Sequence, residues 1–262
     1  KITVNRPEVF NAQSRKMRED YDDALARAAE DDSVLVVIVA GAGNHFSSGH
    51  DLGSPQELED RKERPYTPGL SGAYKRSVDM TLTNTLRWRD FPKPTIAQVQ
   101  GVCIMGGLIL ATSCDLIVAA DNAKFADRTV RWGGPHVQYA SLPWEVGVRK
   151  AKEAIFTGDW IEAEEAVRLG LVNRVVPLEK LEEETMALAQ RIALQDPFAI
   201  RLAKFSINQI QDEMGFRVSI NSAFQSHALS VAYRLERDGD ESQRARGSQR
   251  ARNRDERFGD HV

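Results

Sequence analysis

The stretch GVCIMGGLILATSCDLIVAA, from Gly101 to Ala120, decides how the rest of the chain reads. It opens as an apolar strand, reaches the adjacent glycines Gly106 and Gly107, and continues as Leu108, Ile109, Leu110 and Ala111 before Cys114, Asp115 and a second apolar run. Apolar sequence on both sides of paired glycines fits a buried strand, a sharp turn and the start of a buried helix. Glycine in such a turn lets backbone N–H groups approach a ligand, and a helix N-terminus adds partial positive charge. The combination suits stabilisation of an oxyanion. Glycines that serve only close packing are the alternative, and the stretch alone does not separate the two.

Upstream, PTIAQVQG leads into this stretch as another buried strand, and VLVVIVAG, Val34 to Gly41, is an uninterrupted β-branched run suited to a strand buried on both faces. GAGNHFSSGHDLGS follows the latter as a glycine- and serine-rich turn closed by Asp51. Ile2 to Val4 read as a strand end broken by Asn5, Arg6 and Pro7. Because the chain starts at Lys1 inside that strand, a preceding N-terminal piece with a pairing strand is expected. Met17, Tyr21, Leu25 and Ala28 fall at helical spacing and predict a helix over 14–30. Residues 55–70 are charged, proline-bearing and without period, and are expected to form a mobile surface loop. Helix is expected again over 74–89, stopped by Phe91-Pro92-Lys93-Pro94.

Downstream, 115–120 and 124–126 read as short strands around an Asp121-Asn122 turn, and Arg131 to Tyr139 is glycine-rich and aperiodic. Helical pattern returns over 148–157, over 163–169 with Gly170 as C-terminal cap, and over 178–195. Asp196-Pro197 opens a further helix, and Phe216, Ile220, Phe224, Ala228 and Leu235 stripe the last one. Strands alternating with helices as far as residue 126, then helices almost alone, predict an α/β core over 1–195 and a helical region over 196–262.

Composition narrows the function classes. Of the 262 residues, 42% are hydrophobic and 28% charged, as in an ordinary globular protein. No run approaches the roughly 18 apolar residues of a membrane span, and no signal peptide is visible. Cys103 and Cys114 lie in buried-looking sequence and read as reduced thiols of a cytoplasmic protein. Metal-ligand spacing is missing, which predicts no metal site. A net charge of −3 weighs against nucleic acid as main partner, although Arg244 to Arg257 is locally basic.

Taken together, NRPEVFNAQ, HFSSGHDL, PTIAQVQGVCIMGG, CDLIVAADNAKFA, FTGDWIEAEEAVRLGLVNRVVP and the tail RDERFGD resemble the crotonase superfamily, the enoyl-CoA hydratase/isomerase group. The resemblance covers nearly the whole chain. It implies a spiral of ββα repeats, a helical C-terminal trimerisation region, homotrimers or dimers of trimers, and an acyl-CoA substrate. Coenzyme A is then part of the substrate, with no separate cofactor and no metal. In that family two backbone N–H groups polarise the thioester carbonyl so that an enolate forms, and the matching positions here are His50 and Gly106. One such donor is worth roughly 3 to 4 kcal/mol. Main chain near the first motif contacts the CoA nucleotide, which places Asn11, Ala12, Ser48 and Gly49 as binding residues.

The departures concern acid–base chemistry. Hydratases of the family use two glutamates, one just after the second glycine motif and one further along; here Ile109 and Thr129 stand in those places. Neither transfers protons near neutral pH, whereas a positioned acid or base contributes roughly 10² to 10⁴-fold. Ordinary hydratase activity is therefore in doubt. Asp127 and His136 are the replacement candidates, each weighed against a structural role; Tyr139 and Glu145 read as structural. Arg6 reads as solvated, and Trp132 and Trp144 either shape the acyl pocket or pack the core. Three functions stay open: a hydratase/isomerase-type lyase, an isomerase or hydrolase of the same family, and a catalytically silent CoA-binding or assembly protein.

Overall fold

The computed structural model describes residues 1–238; the RDERFGD motif and the basic run Arg244 to Arg257 lie outside them. The β-branched runs become a five-stranded, all-parallel sheet in the order β1 (Ile2–Val4), β2 (Val37–Gly41), β3 (Thr95–Val99), β5 (Leu116–Ala120) and β8 (Arg174–Val176). A second sheet of three strands runs β4 (Val102–Ile104), β6 (Lys124–Ala126), β7 (Ile161–Glu162). Two passes step from the large sheet to the small one, β3 to β4 ahead of helix Gly106–Thr112 and β5 to β6.

Register explains why the strands carry no polar alternation. Ile2, Val39, Ala97 and Ile117 form one rung across the large sheet. Val39, Ala97 and Ile117 pack with Tyr21 and Leu25 of helix Arg15–Glu30 and Leu108 and Leu110 of helix Gly106–Thr112. Their neighbours Ile38, Ile96 and Val118 face the other way and pack on Leu181 and Ala189 of helix Leu181–Ala193. A sheet covered on both faces needs apolar residues at every position.

Helix ends follow local signals. Ser14 caps Arg15–Glu30 by accepting from Met17 N, and Asp196 caps Pro197–Glu213 by accepting from Ala199 N. Gly170 ends Ala163–Leu169 at φ +88°. The expected loop over 55–70 is instead largely helical, with Pro55–Glu63 and, after a short connection, a helix starting at Gly69. Ser54 accepts from Glu57 N, Pro55 stands in the first turn, and the ion pairs Arg61–Glu57 and Arg64–Asp60 link successive turns. Charges that read as lack of period are thus helix-spaced pairs. Gly69–Ser77 continues through a π-helical segment, Val78–Thr83, into Asn84–Arg89.

The C-terminal helices dock through few contacts. Phe216, Ile220 and Phe224 of helix Phe216–Asp238 are fully buried against Leu82, Ile109, Val137 and Tyr139. Arg89, also buried, holds Pro197–Glu213 through Asn208 O at 3.1 Å and Gln211 Oε1 at 2.8 Å. Among the described residues no helix is long and apolar enough to cross a membrane. Phe224→Ala is expected to destabilise the fold by roughly 3 to 5 kcal/mol, read from urea unfolding, whereas Phe156→Ala at an exposed position is expected to stay within about 0.5 kcal/mol of wild type.

Candidate active site

The two glycine turns meet. Ser47 pairs with β4 on one side, through Val102 O at 3.1 Å and Ile104 N at 3.1 Å. On the other side Gln13 N donates to Gly49 O at 2.7 Å and Asp51 N donates to Gln13 O at 3.0 Å. This parallel bridge leaves the N–H of His50 on the opposite edge, where β4 has ended and Gly106 starts its helix. A methyl group placed on Gly106 would lie 3.0 Å from His50 N. As the first helical residue, Gly106 has no intrahelical acceptor for its own N–H. Neither of these two N–H groups donates to another group among the described residues.

The two paired glycines divide the sequence alternatives between them. Gly107 is a packing glycine, since a Cβ there would come within 2.3 Å of Ser47 O. Gly106 faces the His50 amide. Gly49, at φ +93°, leaves no room for a side chain because a Cβ would meet Gly106 N at 2.8 Å. Between the glycine pair and β4, Met105 holds φ +52°, a conformation that costs a non-glycine residue about 1 to 3 kcal/mol. Its N–H is held by Ala126 O at 3.0 Å and its carbonyl by Ile109 N at 3.0 Å.

Beside these turns lies a cavity of about 280 Å³ lined by His50, Met105, Thr129, Trp132, Gln138 and His227, with several arginines at its walls. Its two carboxylates are engaged. Asp51 accepts from Arg6, Ser54 and Gly53, and Glu57 accepts from Arg15 N and Arg61. Both histidines are held neutral. Burial, then the charge of Arg18, pulls His50 down to about 4 despite its contact with Gln138. Burial pulls His227 to about 4 as well, against its hydrogen bond to the carbonyl of His136.

The remaining candidates go elsewhere. Asp127, 2% exposed, accepts from Thr129 N at 3.0 Å, from the Thr129 hydroxyl and from Val137 N at 2.9 Å. It fastens the glycine-rich loop, and with His136 it lines a neighbouring cavity of about 190 Å³ rather than the one at His50. Its oxygens thus accept three internal hydrogen bonds within the loop that the sequence marked as the place of a proton-transfer group. Ile109 is core, packed with Leu82, Phe216 and Ile220, so only Thr129 of the two substituted positions reaches the cavity. Tyr139 is core as well, and burial pushes the Glu145 carboxyl up to about 7 against the opposing pull of Arg89. Trp132 lines the cavity while Trp144 packs on Phe216. The Asn11 amide is committed internally, to Arg6 N, Ala42 O and His45 O, and Ala12 O accepts from Arg6. Ser48 N donates to Phe10 O, and Ser48 and Gly49 lie beside the His50 amide in sequence.

Sequence reading missed Gln13, Gln138 and His227. Gln13 is the residue that touches both turns, because its side-chain amide donates to Gly106 O at 2.8 Å while its main chain pairs with Gly49 and Asp51. Arg18 Nη1 fixes that amide from behind, donating to Gln13 Oε1 at 2.9 Å. The signal for His227 was its place between Phe224 and Ala228 on the apolar stripe, a polar residue on a buried face.

Two outcomes are expected. Asp127→Ala should lower unfolding stability by on the order of 3 kcal/mol, because buried N–H donors lose their acceptor. In the fold His50 and His227 protonate only near pH 4, whereas in the unfolded chain they do so near 6.5. The unfolded state therefore binds more protons between those values, so the urea midpoint falls as pH drops from 6.5 towards 4, with a smaller fall in His227→Gln.

The family model described as "Enoyl-CoA hydratase/isomerase" matches residues 1–233. "Putative enoyl-CoA hydratase EchA13" of Mycobacterium tuberculosis (strain ATCC 25618 / H37Rv) is 41% identical over 244 residues, which span 88% of this chain and 77% of that protein. The crystal structure of a "probable ENOYL-COA Hydratase" from Mycobacterium smegmatis is 45% identical with a TM-score of 0.83, covering 89% of this chain and 91% of that one. An enoyl-CoA hydratase/isomerase structure from Xanthobacter autotrophicus Py2 is 32% identical with a TM-score of 0.78, covering 95% and 93%. With a family match across nearly all the described residues and relatives of the same fold, the chain belongs to the enoyl-CoA hydratase/isomerase family of the crotonase superfamily.

Proposed function

We propose that this protein binds an acyl-CoA thioester with its carbonyl oxygen between the N–H groups of His50 and Gly106, and that these donors stabilise the enolate formed when a proton leaves or joins the acyl chain. The observation that carries this reading is the pair of adjacent main-chain donors without an acceptor among the described residues. An unpaired buried N–H is costly unless something occupies it, and an oxygen that gains negative charge benefits most. Met105 strain and the Gln13 strut keep the donors set before the substrate arrives. Contact of Asn11, Ala12, Ser48 and Gly49 with the CoA nucleotide rests on the family likeness, since the Ala12 carbonyl, the Ser48 amide and the Gly49 carbonyl are tied to Arg6, Phe10 and Gln13 and the Asn11 side chain holds the loop.

Isomerisation or another enolate reaction suits this site better than hydration by paired glutamates. Ile109 sits in the core, Thr129 carries no acid, and the cavity carboxylates Asp51 and Glu57 are both tied to cations. Assembly of several copies, as trimers or paired trimers, is part of the same reading. Helix Pro197–Glu213 has no buried residue and exposes Phe198, Phe205, Ile207 and Ile210, apolar surface of the kind that subunit contacts cover.

The test is α-proton exchange into a panel of saturated and unsaturated acyl-CoA thioesters in D2O, followed by mass spectrometry. Wild type is expected to exchange or convert at least one thioester. Gly106→Ala, whose Cβ would press on His50 N at 3.0 Å, is expected to lower the rate by roughly 10² to 10³-fold while thioester binding persists. Tight CoA-thioester binding with neither exchange nor conversion would replace this reading with that of a silent binding protein.

A further inference from the structure

With Asp127 fastened to the glycine-rich loop, a proton-transfer group has to come from the cavity wall itself. The arginines there carry no acceptor. Asp51 and Glu57 are ion-paired, the Tyr66 hydroxyl accepts from Arg15 Nε at 3.2 Å, and His50 Nε2 lies 3.3 Å from Gln138 Oε1. His227 remains.

We propose that Nε2 of His227 is the group that takes and returns the proton at the acyl chain, a role that rests on the acyl-CoA reading above. Nδ1 of this ring lies 2.8 Å from the carbonyl oxygen of His136. A carbonyl oxygen only accepts, so in the neutral ring Nδ1 carries the hydrogen and Nε2 carries the lone pair. No group among the described residues is bonded to Nε2, and the residue lines the cavity that contains His50 and Thr129. The tautomer is thus set by the backbone, in the way a third group orients a catalytic base.

The ring is also held in place. His227 is 6% exposed and stacks on Phe224 with centroids 6.4 Å apart and planes 20° apart. Phe224, Ile220 and Phe216 anchor the same helix in the core. Burial keeps the imidazole neutral, which leaves the Nε2 lone pair open while making the imidazolium costly until a compensating charge appears. Negative charge that develops on a thioester oxygen in the same cavity favours the imidazolium once the proton has moved.

The step balances without a co-reactant. Nε2 takes a proton from the α-carbon, the C–H electron pair becomes the enolate with its charge on the thioester oxygen, and the imidazolium then returns a proton to carbon. Return to the same carbon gives exchange with solvent; return two carbons along a conjugated chain gives a shifted double bond.

His227→Asn tests this, because the asparagine amide reproduces the Nδ1 donor towards His136 and lacks the base at Nε2. Its exchange rate is expected to fall roughly 10² to 10⁴-fold with the thioester Kd unchanged, and added imidazole is expected to restore part of the activity of His227→Ala. Wild-type rates in His227→Asn would overturn the proposal. So would a rate loss matched by an equal rise in Kd and untouched by imidazole, which marks a purely structural residue. Wild type that exchanges no thioester overturns the parent reading and this one with it, whereas active wild type indifferent to His227 overturns this one alone.

Discussion

The contact between the two glycine turns is the constraint from which the rest of the site follows. A Cβ on Gly107 would lie 2.3 Å from Ser47 O and one on Gly106 3.1 Å from Gly49 Cα, so the turns approach too closely for side chains at either glycine. Gln13 then locks the pair, with its main chain on Gly49 and Asp51 and its side chain on Gly106. Gln13 thereby limits how far the two turns can move against each other.

The electrostatics of the cavity fit that geometry. Arg18 is buried, stacks 4.7 Å from the Trp88 ring centroid, and is pulled to about 10 by desolvation. It holds Gln13 and disfavours a second positive charge on His50. Acids near the site are paired with arginines and serve structure. The outcome is a wall that attracts negative charge while both imidazoles stay neutral.

The C-terminal helix has two duties that share one face. Phe216, Ile220 and Phe224 seal the core beneath the glycine-rich loop, and three residues after Phe224 the same face delivers His227 to the cavity. A stripe that reads as packing alone thus also reaches the cavity, because one helix face spans both the core and the cavity edge.

Sequence alone determined the features set by neighbours along the chain. Uninterrupted β-branched runs gave the parallel strands, Ser14, Asp196-Pro197 and Gly170 marked helix ends, and the two glycine motifs marked the turns that meet. The helix at Pro55–Glu63 was legible in Ser54-Pro55 and Glu57 but was masked by charges that seemed aperiodic. Tertiary structure alone decided which polar groups meet. Asp127 finds Val137 N ten residues away, Gln13 reaches Gly106 across 93 positions, and His227 reaches His136 across 91. The physical reason is that a side chain's role depends on what already satisfies its hydrogen bonds, and those partners are chosen by packing between distant segments, about which local pattern carries no information.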